Sequence, residues 1–173
     1  MRGFTLVEIL VSLLILSVVL AGIFAVLNVG QMNWNSSMSS LDLQQQVRQA
    51  MDGMSKEIRQ SSFSNITINP DQGAINFTVP IDITTNPITY SSTINYYLND
   101  NSQIVREHPS GTTKILANDI SNLSFCCVGI VAANCLDYDN STAVQIYVEG
   151  NKTVRGRTYL PFNLTEQVRL RNE

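Results

Sequence analysis

The sequence predicts an α+β fold: a long N-terminal helix, half membrane-spanning and half amphipathic, packed on an antiparallel β-sheet. Three observations carry this. From Phe4 to Leu27 the chain is apolar apart from Thr5, Glu8, Ser12, Ser17 and three small residues, Ala21, Gly22 and Ala25. Leu43, Val47, Met51, Met54 and Ile58 then recur at helical spacing, one stripe on one face. Beyond Phe63 the hydrophobic period falls to two, in short runs punctuated by turn residues.

The first element is long enough for a bilayer. As helix, Phe4 to Leu27 extends roughly 36 Å, against a hydrocarbon core of about 30 Å. Arg2 precedes it, and no Lys or Arg follows until Arg48. The positive-inside rule then places the N-terminus in the cytoplasm and the rest outside. A cleaved signal sequence stays open as an alternative, because Ala21 offers a small residue after the apolar run. Glu8 suits neither plan well, since an unpaired carboxylate in hydrocarbon costs several kcal/mol or becomes protonated.

After Leu27 comes a polar zone, Asn28 to Ser40, containing Trp34. Gly30 and the Ser/Asn cluster lower helix propensity there. The amphipathic stripe belongs to a helix over 41–60, ending at Ser61-Ser62. Arg48 with Asp52, and Asp52 with Lys56, stand as i,i+4 pairs worth a few tenths of a kcal/mol. In the second half, Ala74 to Val79 alternates and stops at Pro80. The segment between Ile81 and Thr89 reads as a loop. Ile88 to Asp100 reads as strand, Asn99 to Ser102 as a hairpin turn, and Gln103 to Glu107 as the return. Ile115 to Leu123 reads as a short strand or a turn-rich bridge. Ala143 to Glu149, turned at Gly150-Asn151 and returning over Thr153 to Tyr159, is the clearest hairpin. A last strand is expected over Gln167 to Leu170.

Composition narrows the function. The chain has 173 residues, which suits one domain plus one long terminal element. Lys and Arg number 11 against 14 Asp and Glu, a net charge of −3. That is not the basic excess of a nucleic-acid protein, and the basic residues from Lys152 to Arg171 read as a solvated rim. No nucleophile elbow, zinc-protease helix or phosphate-binding loop occurs. His108 is the single histidine and has no partner spacing that suggests a metal. The reading is therefore not an enzyme, with no cofactor.

Gly3-Phe4-Thr5-Leu6-Val7-Glu8, followed directly by the apolar helix, resembles the processing site of type IV prepilins and type II secretion pseudopilins. A weaker resemblance, to minor pilins and J-type minor pseudopilins, rests on Leu43 to Gln60, Ile115 to Leu123 and Val168 to Asn172. The resemblance implies a leader over 1–3, a transmembrane and filament-core helix over 4–30, and an extracytoplasmic pilin-like domain over 31–173. It implies cleavage after Gly3 by a prepilin peptidase that also methylates Phe4. It implies partners as well: other major and minor pilins, an inner-membrane platform protein and an assembly ATPase. Glu8 would meet the Phe4 ammonium of a neighbouring subunit, each charge offsetting the other's desolvation. The implied function is a minor pilin of a type IV pilus, with a minor pseudopilin of a type II secretion system as the alternative. A signal-anchored periplasmic sensor or binding domain is the reading from a different class, in which Glu8 is incidental.

Two lesser sites complete the reading. Cys126, Cys127 and Cys135 are the three cysteines. Outside the cytoplasm, Cys135 bridged to Cys126 or to Cys127 would close a loop of about ten residues, worth about 3 kcal/mol or less. Asp137, Asp139 and Asn140 form a small oxygen-rich patch, a weak calcium candidate against the plainer reading of a polar turn.

Overall fold

The computed structural model describes residues 5–82, 84, 87–129, 141, 143–154, 157–158 and 161–170. Helix α1 runs Leu6–Ile58 without a break. The polar zone does not interrupt it, because its side chains bond within their own turns. Asn28 Nδ2 donates to the Phe24 carbonyl at 3.0 Å, Ser36 Oγ to Asn33 at 2.8 Å and Ser39 Oγ to Asn35 at 2.9 Å. These are the i−3 and i−4 back-bonds by which short polar residues are accommodated inside a helix.

The chain divides into two compact units, Met1–Ser39 and Ser40–Glu173. In the first, the helix has no covered face. Its large apolar side chains from Leu6 to Met38 are 45% to 75% exposed.

In the second unit the α1 stripe is the floor of the core. Leu43, Val47, Met51, Met54 and Ile58 are all buried, as their spacing predicts, and Ala50 and Ser55 join them. Above the stripe lie two sheets. Strands β1 (Ile66–Ile68), β2 (Ala74–Phe77), β5 (Ile94–Leu98), β6 (Ile104–Glu107) and β7 (Thr113–Ala117) form an antiparallel sheet in the order β1-β2-β5-β6-β7. Strands β8 (Ile120–Val128), β9 (Ala143–Gly150) and β12 (Phe162–Val168) form a second, in the order β12-β9-β8. One apolar cluster joins helix and both sheets, from Val47 and Met54 through Phe77, Tyr96 and Ile104 to Phe125, Ile146 and Val168. Within it the rings of Phe77 and Tyr96 stack at 6.0 Å.

Four expectations are corrected. The segment from Ile81 is not all loop: β3 (Pro80–Asp82) pairs with β4 (Thr89–Tyr90) in a short ribbon. Ile115 to Leu123 is neither one strand nor a bridge. It is the end of β7 and the start of β8, divided at Asp119, whose φ of 60° turns the chain from one sheet to the other. The hairpin at Gly150-Asn151 does not close on Thr153 to Tyr159. Strand β9 pairs instead with β12, Leu164 opposite Val148, while β10 (Thr153–Val154) and β11 (Arg157–Thr158) pair only with each other. The physical reason lies in what holds the turn. Asn151 N–H donates to the Asp119 carbonyl at 2.8 Å, and a Cβ on Gly150 would stand 2.9 Å from Leu43 Cδ1. The turn is thereby fixed to β8 and the helix rather than folding back. Finally, the last strand is Phe162–Val168 and not Gln167 to Leu170.

The two sheets are joined by turns in left-handed backbone. Gln72, Ser102 and Asp119 all have φ near +60° without being glycine. The carbonyl of each accepts from another segment: Gln72 from Phe125 N–H at 2.9 Å, Ser102 from Ile120 at 2.9 Å, and Asp119 from Asn151. A left-handed non-glycine costs about 1–2 kcal/mol, and these bonds offset it.

Substitutions on the stripe should separate packing from polarity. Met54 is fully buried, so Met54→Ala should cost about 2–5 kcal/mol. Ser55 Oγ is buried with no hydrogen-bond partner among the described residues, so Ser55→Ala should stabilise by about 1 kcal/mol. Denaturant melts of both variants check the opposite signs.

Candidate functional site

The first candidate is the start of α1. Thr5 stands at the N-cap. The backbone N–H of Glu8 donates to the Thr5 carbonyl at 3.1 Å and to Thr5 Oγ1 at 3.3 Å. Thr5-Leu6-Val7-Glu8 thus carries the spacing of a capping box, and Glu8 lies in the first turn, where the helix dipole favours a negative charge. The Thr-x-x-Glu spacing is a signal that sequence reasoning passed over, and it gives Glu8 a local role. Ser12 Oγ donates to the Glu8 carbonyl at 2.8 Å, so this hydroxyl is satisfied without water. Glu8 itself is exposed, at the head of a helix segment with mean hydropathy 3.0 and none of it buried. By length and composition this helix can cross a membrane once. Gly3 and Phe4 lie outside the described residues.

The cysteines fall on β8, and strand alternation sorts the neighbouring pair. Leu123, Phe125 and Cys127 point into the core, while Ser124 and Cys126 are half-buried on the other face. Cys126 is disulfide-bonded and Cys127 is a buried thiol. Cys135, Asp137, Asp139 and Asn140 lie outside the described residues. Among the described residues no three His, Cys, Asp or Glu side chains gather to hold a metal.

Two polar groups, neither signalled by sequence spacing, fasten α1 to the sheets. In the first, Glu57 accepts from the Tyr96 hydroxyl at 2.8 Å and from Arg106 Nε at 3.0 and 3.1 Å. Both ionic side chains are partly buried. Burial and the Glu57 carboxylate push the Tyr96 phenol well above its ordinary range, so it stays a donor. Burial pulls the Arg106 guanidinium down, but Glu57 outweighs it and keeps Arg106 charged.

In the second, Lys152 lies 3.3 Å from both Asp42 and Asp119. Gln46 donates to Asp42 at 2.9 Å and its Oε1 accepts from the Asn118 backbone and side chain at 3.1 and 3.2 Å. The helix is thus tied to the β7–β8 turn by five polar side chains. Of the expected surface pairs, Asp52 meets Lys56 at 2.8 Å, with both well exposed.

Residues 1–24 match the family described as the prokaryotic N-terminal methylation motif. No curated protein and no solved structure matches the chain. The motif stands at the head of a helix that packs, farther along, on an antiparallel sheet.

The Asp42–Lys152 pair sets a pH window. Hydrogen bonds from Gln46 and then Lys152 hold Asp42 below its ordinary 3.8. Burial lowers Lys152, but bonds to Asp119 and Asp42 outweigh it and hold it above 10.5. The lowered carboxylate contributes stability above about pH 4 that is lost as pH falls through its folded value. The raised ammonium contributes below pH 10.5 and is lost above that. The contribution is under about 1 kcal/mol, since Asp42 is largely solvated. Thermal melts from pH 3 to pH 11 should show Lys152→Met flattening both limbs relative to the unsubstituted chain; unchanged limbs would remove the pair from the account.

Proposed function

We propose, for a chain that carries the N-terminal methylation motif of type IV pilins and pseudopilins, that it is a minor pilin. It helps initiate or build a type IV pilus after a prepilin peptidase cuts between Gly3 and Phe4 and methylates Phe4. The observation that carries this is the methylation motif set on a helix whose large apolar side chains from Leu6 to Met38 are exposed. Each Leu, Ile or Val left so exposed forgoes about 1.5–3 kcal/mol. Lipid satisfies that surface before assembly, and the same helices of neighbouring subunits satisfy it in a filament. The leader stays on the cytoplasmic side of the inner membrane, and the part beyond residue 30 is exported. A platform protein and an assembly ATPase then move the subunit from the membrane into the filament.

Cleavage creates an ammonium on Phe4, next to the Thr5 cap. That charge stands at the positive end of its own helix dipole, where a cation is disfavoured. A carboxylate must offset it, and Glu8 of an adjacent subunit is placed to do so if the two helices differ in axial height. The pair then acts as a register device, because any other height leaves both charges unpaired in an apolar core. The same motif serves pseudopilins of type II secretion; neighbouring pilus or secretion genes separate the two.

The exported part also carries a bridge in this reading, Cys126 to Cys135. Cys127 is excluded because its sulfur faces the core on β8, where turning it outward would expose the apolar face of the strand. Peptide mapping without reductant should recover Cys126 joined to Cys135, with Cys127 alkylated only after unfolding. A Cys127–Cys135 peptide would overturn the assignment.

Intact-mass measurement of membrane-extracted protein should show loss of Met1 to Gly3 and gain of one methyl; a retained Met1, or a cut near Ala21, sinks the pilin reading. Glu8→Gln keeps the shape and removes the charge. It should still be processed but enter sheared filaments poorly, and Glu8→Leu should do the same, a loss of roughly 3–5 kcal/mol from the ammonium buried alone. Equal filament fractions for all three chains, with filament number counted in the same samples, would favour the anchored sensor.

A further inference from the structure

A half-open cavity of about 440 Å³ lies between α1 and the edge of the five-stranded sheet. That volume suits a small ligand or one inserted side chain. Its charged wall is a rung of the sheet, where Arg106 on β6 stands directly opposite Lys114 on β7. Like charges directly opposite on adjacent strands are destabilising. Glu57 answers one of them, and does so through Arg106 Nε alone. The η edge of the guanidinium makes no ion pair among the described residues, nor does Lys114. The cavity wall therefore carries one surplus positive charge, with the two-pronged edge suited to a carboxylate.

The helix side of the cavity is held open by a glycine. Gly53 sits in the middle of α1, where it costs about 1 kcal/mol relative to alanine. Packing does not demand it: a Cβ there would meet nothing within 4 Å. Ala50 beside it is small as well, and Ile115 and Leu116 supply apolar surface from β7.

We propose that this cavity is a receptor for one carboxylate group on a short aliphatic stem, bound between the Arg106 η nitrogens and Lys114. The stem lies over Gly53 against Ile115 and Leu116. With Glu57 already paired to Arg106, the wall's one surplus positive charge matches a single negative charge, and a dianion such as phosphate would carry one charge into the cavity unmatched. The carboxylate comes from an acidic side chain of another protein or from a free small acid; the chemistry is shared. The site is independent of the filament reading, since none of its residues lies in the apolar half of α1.

The test uses the full chain in detergent, with the Arg106 guanidinium and Lys114 ammonium followed by NMR. The probes are butyrate, the peptide acetyl-Ala-Glu-Ala-amide, its Gln counterpart and inorganic phosphate. Saturable shifts with the Glu peptide or butyrate, and none with the Gln peptide or phosphate, are expected. Binding of the peptide alone assigns the source to a protein side chain, and tighter binding of butyrate assigns it to a free acid. Lys114→Gln should weaken binding about tenfold and Lys114→Arg restore it. Gly53→Leu should fill the cavity and abolish binding while the melting temperature holds or rises, so a lost signal is not lost folding. Equal shifts from the Glu and Gln peptides, phosphate binding as tightly as butyrate, no shift with any carboxylate up to saturating concentration, or undiminished binding to the Gly53→Leu chain would each overturn the proposal.

Discussion

The Leu43-to-Ile58 stripe has to be covered, and the arrangement of both sheets follows from that need. A helix of this kind gains most of its stability from packing rather than from propensity. Each sheet buries one face, and the buried residues of both join Val47, Met51 and Met54 of the helix in one apolar cluster. Ile75, Ile104, Phe125 and Ile146 are fully buried in that cluster. Leu43 rests on Gly150, where a side chain would not fit without a shift.

Around that apolar seam the polar contacts determine direction rather than supply bulk stability. Glu57 reaches Tyr96 and Arg106 near the C-terminal end of α1, and Asp42 and Gln46 reach Lys152 and Asn118 fifteen and eleven residues earlier, by the difference in residue numbers. Two polar fastenings on one helix fix its rotation and its axial position, which an apolar stripe alone leaves loose. The left-handed turns at Gln72, Ser102 and Asp119 do the equivalent for the sheets, presenting carbonyls across the join. Strain of about 1–2 kcal/mol at each is tolerable only because the surrounding bonds over-determine it.

The apolar half of α1 follows the opposite logic. Its residues meet no partner within the unit, so its stability depends on what surrounds it. In the proposed assembly, lipid and neighbouring helices are interchangeable solvents for Leu, Ile and Val, and transfer between them costs little. Charge is what distinguishes the two environments. In that proposal Glu8, whose backbone N–H donates to Thr5 Oγ1, is tolerated at a membrane boundary and gains a strong partner only where another subunit's amino terminus is held at its depth.

The helix stripe was legible from residues alone, because a period near 3.6 over Leu43 to Ile58 depends only on local geometry. The motif from Gly3 to Glu8 was legible for a related reason: its chemistry lies in adjacent residues. The Asn99 to Ser102 hairpin also appeared as expected, with Asn99 Oδ1 accepting from the backbone of Asn101 and Gln103. Tertiary structure decided what depends on residues far apart. The return partner of β9 could not be read locally, since Thr153 to Tyr159 and Phe162 to Val168 both alternate acceptably. The choice fell to β12 once Leu43 and Asp119 had fixed the turn at Gly150-Asn151. Glu57 meets residues 39 and 49 positions away, a distance at which no periodicity operates. The cavity walled by Arg106, Lys114 and Gly53 exists only because a strand rung and a helix face were brought together by packing elsewhere in the core.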